Sequence, residues 1–175
     1  MTKYVSQVQK GMDLFASDPR TIFVGQAMRY KGHAVSQQVK NYPIDKRVEL
    51  PVAEDFQSGF SLGLALQGYI PISIYPRHDF TILALNQIIN HIDKWPLMCP
   101  NSYPKVIIKI LVGAKKPLNG GCQHTSDYTE AIIKMCQTIK IIKLTQPDQI
   151  FPAYETALNT KGSFILSEYT ETILV

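Results

Sequence analysis

At 175 residues, with 45% hydrophobic and 18% charged side chains, the chain has the size and composition of one domain, residues 1–175, with a sizeable core. Its net charge is +4 (18 basic, 14 acidic), but the lysines are scattered, and those from Lys105 to Lys143 make no run with interleaved aromatics, which argues against nucleic acid. MTKYVSQVQKG lacks the apolar core of a signal peptide, no segment approaches a membrane span, and Cys99, Cys122 and Cys136 lack metal-type spacing, so a reduced, cytoplasmic protein without a local metal site is expected.

Val5, Val8, Met12 and Phe15 form an apolar stripe of helical period over residues 5–16, stopped by Ser17-Asp18-Pro19-Arg20. TIFV, residues 21–24, reads as a first strand closed by Gly25. Residues 26–45 are polar and read as a loop with one short helix. A second strand is expected over 47–52. The helix after Glu54 places Phe56, Gly59, Phe60, Gly63 and Leu64 on one face, and Gly68 is its left-handed cap. YIPISIY, residues 69–75, is a third strand, and residues 79–95 return to helical period, followed by a loop over 96–104.

KVIIKILV, residues 105–112, is a near-continuous apolar strand of the kind buried on both faces of a parallel sheet. A glycine-rich loop leads into HTSDYTEAIIKMCQTI, where Asp127 and Glu130 have the spacing of a capping box. A strand over 139–144, a helix opened by Pro147-Asp148 and ending near Leu158, and a closing strand over 163–168 complete the series. The alternation predicts an α/β fold: three layers, α/β/α, around a mostly parallel sheet of about six strands. Ligands in such folds lie beyond the carboxyl ends of the strands.

Glu54 follows a strand directly and so stands in that zone. A carboxylate between an apolar strand and an apolar helix is partly desolvated and available for proton exchange. Equally, an acid in a first helical turn is favoured simply by the helix dipole, and Asp55 fits that reading even better. Gly59 and Gly63 sit in a helix interior, where glycine costs about 0.5–1 kcal/mol against alanine. Their spacing predicts close approach of another backbone, either the domain's own sheet or a helix of a second subunit.

Glu54-x4-Gly59-Phe60-x2-Gly63 resembles the pattern of the pyrimidine-binding domain of thiamine diphosphate enzymes, above all transketolases and the β subunits of 2-oxoacid dehydrogenase E1 components. The likeness runs from IFVG (22–25) through ELPVAE, GYIPISIY, DFTILALNQIIN and GCQHTSDY to SFILSE (163–168), nearly the whole chain. It implies that Glu54 hydrogen-bonds the aminopyrimidine N1′ and promotes the imino tautomer that takes the thiazolium C2 proton. The resemblance also implies that Phe80 packs on the pyrimidine, with Tyr75 and Pro76 on the adjoining strand end as further cofactor-binding residues. His124 falls where E1 β subunits carry an active-site histidine, and His78 is a weaker candidate for substrate contact. On the residues alone, Phe80 is equally ordinary core and His124 a loop residue before a helix.

Such enzymes hold the diphosphate through Mg2+ with a Gly-Asp-Gly segment and a downstream asparagine, and this sequence has no such segment. It also stops after the sixth strand, where E1 β subunits and transketolases continue into a further domain. The resemblance therefore implies a split enzyme, with a separate diphosphate- and Mg2+-binding subunit in an α2β2-type hetero-oligomer. Decarboxylation of a 2-oxo acid or ketol or aldehyde transfer from a ketose is the implied reaction. A non-catalytic regulatory or scaffolding subunit that retains the fold is the alternative, while a stand-alone nucleotide binder is disfavoured because no GxGxxG follows the first strand.

Overall fold

The β-branched runs become strands, and the one-sided segments become the helices that return the chain between them, so all strands point the same way. A computed structural model describes residues 2–30, 34–113, 115 and 119–169. The helices are α1 (Lys3–Ser17), α2 (Ala34–Val39), α3 (Glu54–Leu66), α4 (Thr81–Leu85), α5 (Trp95–Met98), α6 (Thr129–Met135) and α7 (Pro147–Asn159). The strands are β1 (Thr21–Gly25), β2 (Arg47–Glu49), β3 (Ile70–Tyr75), β4 (Ile107–Val112), β5 (Lys140–Leu144) and β6 (Phe164–Tyr169). They form one parallel sheet in the order β2-β1-β3-β4-β6-β5.

The two faces of the sheet are covered separately, as the three-layer expectation requires. On one face α1, α2 and α7 pack Met12, Phe15, Val35 and Tyr154 against Phe23, Ile72, Phe164 and Leu166. On the other, Leu62, Ala84, Ile88 and Ile132 cover Tyr75, Ile108, Ile110 and Ile165. No helix among the described residues is long and apolar enough to cross a membrane.

Several boundaries differ from the sequence reading for local reasons. Strand β2 ends at Glu49 rather than Val52 because Pro51 offers no N–H to a ladder; Leu50 makes the last contact, to the Gly25 carbonyl at 3.0 Å. The helix expected over 79–95 is a succession: a 3-10 turn at His78–Phe80, then α4, then a π-helix over Asn86–Asp93, then α5 inside the expected loop. Asp93 ends the π-helix fully buried, its carboxylate accepting the N–H groups of Gln137, Thr138 and Ile139. The Asp127–Glu130 capping box does not form. Asp127 accepts the Thr129 N–H at 2.9 Å, two residues on, and Glu130 pairs with Lys143 across to β5. Gly68 does cap α3 at φ +89°, with the Tyr69 N–H returning to Leu64 O.

The largest correction concerns α3. Its buried side is Glu54, Gln57, Ser58, Ser61, Leu62 and Ala65, not the Phe56–Gly59–Phe60–Gly63 face. Phe56 is 54% exposed and stacks on Phe60 at 5.8 Å. A Cβ at Gly63 would meet nothing within 4 Å, and one at Gly59 would meet only the Gln87 side chain at 3.4 Å. The domain's own sheet is therefore not what these glycines approach.

Candidate functional site

The strand order turns over at β1. From β1 the chain steps outward to β2, then α3 carries it back across to β3 on the other side. The crevice at such a switch point, beyond the carboxyl ends of the strands, is where open α/β sheets bind ligands. Gln26 follows β1, Glu54 follows β2 and opens α3, Pro76 and Phe80 follow β3, and His124 lies on the loop after β4. Strands β2, β3 and β4 thus deliver the sequence-predicted residues to the carboxyl end of the sheet, and β1 adds Gln26.

Glu54 is 2% exposed. It is not a cap: Ala53 is the N-cap residue, and the Glu54 carboxylate makes its bond 28 residues away, where Gln26 Nε2 donates to Oε1 at 2.9 Å. The other oxygen, Oε2, is buried without a partner among the described residues. A buried acceptor left unmatched costs about 1–3 kcal/mol. At a switch point, an orphaned buried carboxylate oxygen calls for an explanation beyond packing.

Gln26 is held by a device the sequence reading missed. Glu49, at the end of β2, accepts the N–H groups of Ala27 and Arg29 at 2.7 and 2.8 Å, and so fixes the turn after β1. That turn puts Ala27 at φ +56°, a left-handed backbone that costs an alanine about 1–2 kcal/mol. Gly25 precedes it because a Cβ there would lie 2.7 Å from the Ile74 carbonyl. Gln26, Ala27, Tyr30, Glu49 and residues 50–52 line a cleft of about 410 Å³; Glu54 is not among its lining residues but is joined to it through Gln26. Gly25-Gln26 at a strand end was the only signal, and it does not reveal the Glu49 contact.

Tyr75 and Pro76 stand at the end of β3, as expected, but Tyr75 is buried beneath α3. Its hydroxyl is 2.6 Å from Ser58 Oγ and makes a longer contact, 3.4 Å, to the Glu54 carbonyl. Burial pushes the Tyr75 phenol up to about 12, so it stays protonated at neutral pH. It braces the first turn of α3 from below. Pro76 is half-buried.

Phe80 and His124 meet directly. Their rings are edge to face with centroids 5.5 Å apart. Two glycines of the loop make room for the histidine: a Cβ at Gly113 would lie 1.9 Å from the His124 carbonyl, and one at Gly120 would lie 2.6 Å from His124 Cβ. His124 Nδ1 is buried with no partner among the described residues. His78, two residues before Phe80, is fully buried and makes no surface for a substrate. Among the described residues no group of three His, Cys, Asp or Glu side chains could hold a metal.

No family model matches the sequence. Of curated proteins, the 3-methyl-2-oxobutanoate dehydrogenase subunit beta of Mycobacterium tuberculosis is 23% identical over 145 residues, 79% of this chain and 40% of that protein. The pyruvate dehydrogenase E1 component subunit beta of Mycoplasma pneumoniae is 25% identical over 168 residues, 92% of this chain and 47% of that protein. The chain is a relative of these E1 β subunits. It spans less than half the length of either. A solved structure of a split-gene transketolase, an inactive β4 tetramer, superposes with a TM-score of 0.71 at 18% identity, over 95% of this chain and 51% of that one. This E1 β relative therefore has the transketolase-type α/β fold, in agreement with the six-stranded parallel sheet.

Proposed function

We propose that the chain is the pyrimidine-binding subunit of a thiamine diphosphate enzyme divided between chains, acting on a 2-oxo acid or a ketose. The observation that carries this reading is the unmatched Oε2 of Glu54, buried at the switch point while Oε1 is fixed by Gln26. The residues present fit the aminopyrimidine half of the cofactor. A buried carboxylate oxygen is available to a ring nitrogen, Gln26 bonded to that carboxylate lines a cleft, and an aromatic, Phe80, stands at the neighbouring strand end. The described residues offer nothing comparable for a diphosphate-bound Mg2+, which is assigned to the partner chain.

Bound thiamine diphosphate supplies carbanion chemistry next to a carbonyl, and this chain's residues orient it and manage its protons. Glu54 holds or releases a proton at Oε2, because Oε1 is occupied as an acceptor by the Gln26 amide. Glu49 keeps the Gln26 turn in place, and Tyr75 keeps the first turn of α3 in place. His124, edge-on to Phe80, is the group of this chain assigned to the substrate side. The Phe56 ring, 54% exposed and stacked on Phe60, supports assembly of this face of α3 with another chain.

The test is purification of the chain with its natural partner, followed by assay for thiamine diphosphate and Mg2+ and for exchange of the C2 proton. Glu54→Gln should slow that exchange by at least about 100-fold, the lower end of what acid–base groups contribute, and leave the assembly intact. Unchanged exchange in an intact Glu54→Gln assembly would sink the assignment and favour a non-catalytic subunit that retains the fold.

A further inference from the structure

Four consecutive residues after β3 each touch the segment that carries His124. Arg77 Nη1 donates to the His124 carbonyl at 3.4 Å. His78 Nδ1 accepts the Tyr128 N–H at 3.2 Å. Asp79 Oδ2 accepts the Ser126 N–H at 3.4 Å. Phe80 meets the His124 ring edge to face. Among these polar contacts the His78 bond is the shortest, and His78 alone is fully buried; Arg77 and Asp79 are half-exposed at the rim.

We propose that His78 is a positioning residue: its neutral imidazole registers the 124–128 segment against the turn carrying Phe80, and thereby sets where the His124 ring stands. The proposal rests on the reading of His124 as a residue of the site.

The chemistry of the ring supports it. Because Nδ1 accepts a backbone N–H, the ring proton must sit on Nε2. That Nε2–H is buried without a partner among the described residues, a cost that an apolar side chain of similar size would not carry. The return for that cost is the acceptor at Nδ1, which no apolar residue supplies. Tyr128 also closes on the imidazole edge to face at 5.7 Å, so both its backbone and its ring are referenced to His78. Asp127 Oδ1 lies 3.5 Å from Nδ1, and Asp79 is adjacent in sequence. Protonation would turn Nδ1 from acceptor into donor, toward Asp127, and break the Tyr128 bond. Burial opposes that step and outweighs the pull of the two acids.

The experiment uses the full chain labelled with 15N-histidine. In the wild type, long-range 1H–15N spectra should show His78 protonated at Nε2 and bare at Nδ1; a proton on Nδ1 would overturn the proposal without any variant. His78→Leu removes the acceptor, whereas His78→Asn puts an amide oxygen near the Nδ1 position. The His124 ring resonances, which lie in the ring current of Phe80, should shift in His78→Leu and return toward wild type in His78→Asn. Unmoved His124 resonances in a folded His78→Leu chain would overturn the proposal. In the assembled enzyme His78→Leu should lower kcat by about 10- to 100-fold, the scale of a displaced group, with KM little changed. If the His124 resonances move and are rescued by asparagine while kcat stays the same, the positioning role of His78 stands and the catalytic reading of His124 falls.

Discussion

Glu168 and Glu54 are both buried carboxylates, 0% and 2% exposed, on opposite faces of one sheet, and their surroundings are opposite in kind. Glu168 Oε2 accepts from Lys109 Nζ at 2.9 Å and from Tyr4 hydroxyl at 2.7 Å, while the Tyr154 hydroxyl donates to Oε1. Burial first, and the Glu168 charge next, hold both phenols well above their usual range, so both remain donors. That network ties α1 and α7 to β4 and β6 and leaves neither oxygen free. Glu54 has one donor for two oxygens. A completed polar network fixes a core, whereas a half-satisfied one carries a cost that its position in the fold has to explain.

The largest effect should come from breaking the completed network. Lys109→Met leaves the Glu168 carboxylate buried against two hydroxyls alone, and removing one partner of a buried pair costs about 3–5 kcal/mol. Urea unfolding of the single variant measures it. The matching experiment on the other face, Glu54→Leu, should change stability by less than about 1 kcal/mol, because the group removed is already half unsatisfied. Equal losses at the two positions would erase the distinction and return Glu54 to the structural groups.

A smaller effect is expected with pH. Burial holds the folded-state pKa of His78 below its ordinary 6.5, against the opposing pull of Asp127 and Asp79. As pH falls through 6.5 the unfolded chain binds this proton before the folded one does. The stability that His78 contributes is therefore complete above about 6.5 and is lost as pH drops toward the lowered folded value. Calorimetric Tm values at pH 7.5 and 5.5 should differ less in His78→Asn than in the wild type. An identical pH slope in the two chains would mean that His78 is not held neutral by burial.

The comparison also indicates which features could be read from the residues. Strand runs such as TIFV and YIPISIY carry their own period, so the α/β layering and the position of Glu54 beyond a strand follow from local pattern. The helix over 79–95 was visible as apolar spacing, but its π-helical middle was not, since a one-residue widening leaves the pattern nearly periodic. Glu49 and Gln26 were invisible because their bonds, to a turn 20 residues away and to a carboxylate 28 residues away, depend on strand order rather than on spacing. On α3 the spacing leaves open whether the Phe56–Gly59–Phe60–Gly63 face meets the domain's own sheet or a second subunit, and the structure removes the first option. Gln57, Ser58 and Ser61 are polar but pack inward, where Gln57 Nε2 donates to Ser73 Oγ and Ser58 meets Tyr75, while the phenylalanines point out. Hydrophobicity picks out that face but does not tell whether the chain's own core covers it.

That external face gives the smallest and most discriminating prediction. Among the described residues, an alanine Cβ at Gly63 would meet nothing within 4 Å beyond its own helix, and the helical backbone there is one alanine adopts freely. Gly63→Ala should therefore stabilise the isolated chain by about 0.5–1 kcal/mol, the intrinsic preference of a helix for alanine over glycine. Among the described residues no neighbouring atom opposes that gain. If another backbone packs on the Phe56–Phe60 face, the same methyl group that raises Tm should weaken association, measured by sedimentation velocity on the assembly. A Tm gain with undiminished association would leave Gly63 with no role on that face. A Tm gain with weakened association would assign its cost to the assembly.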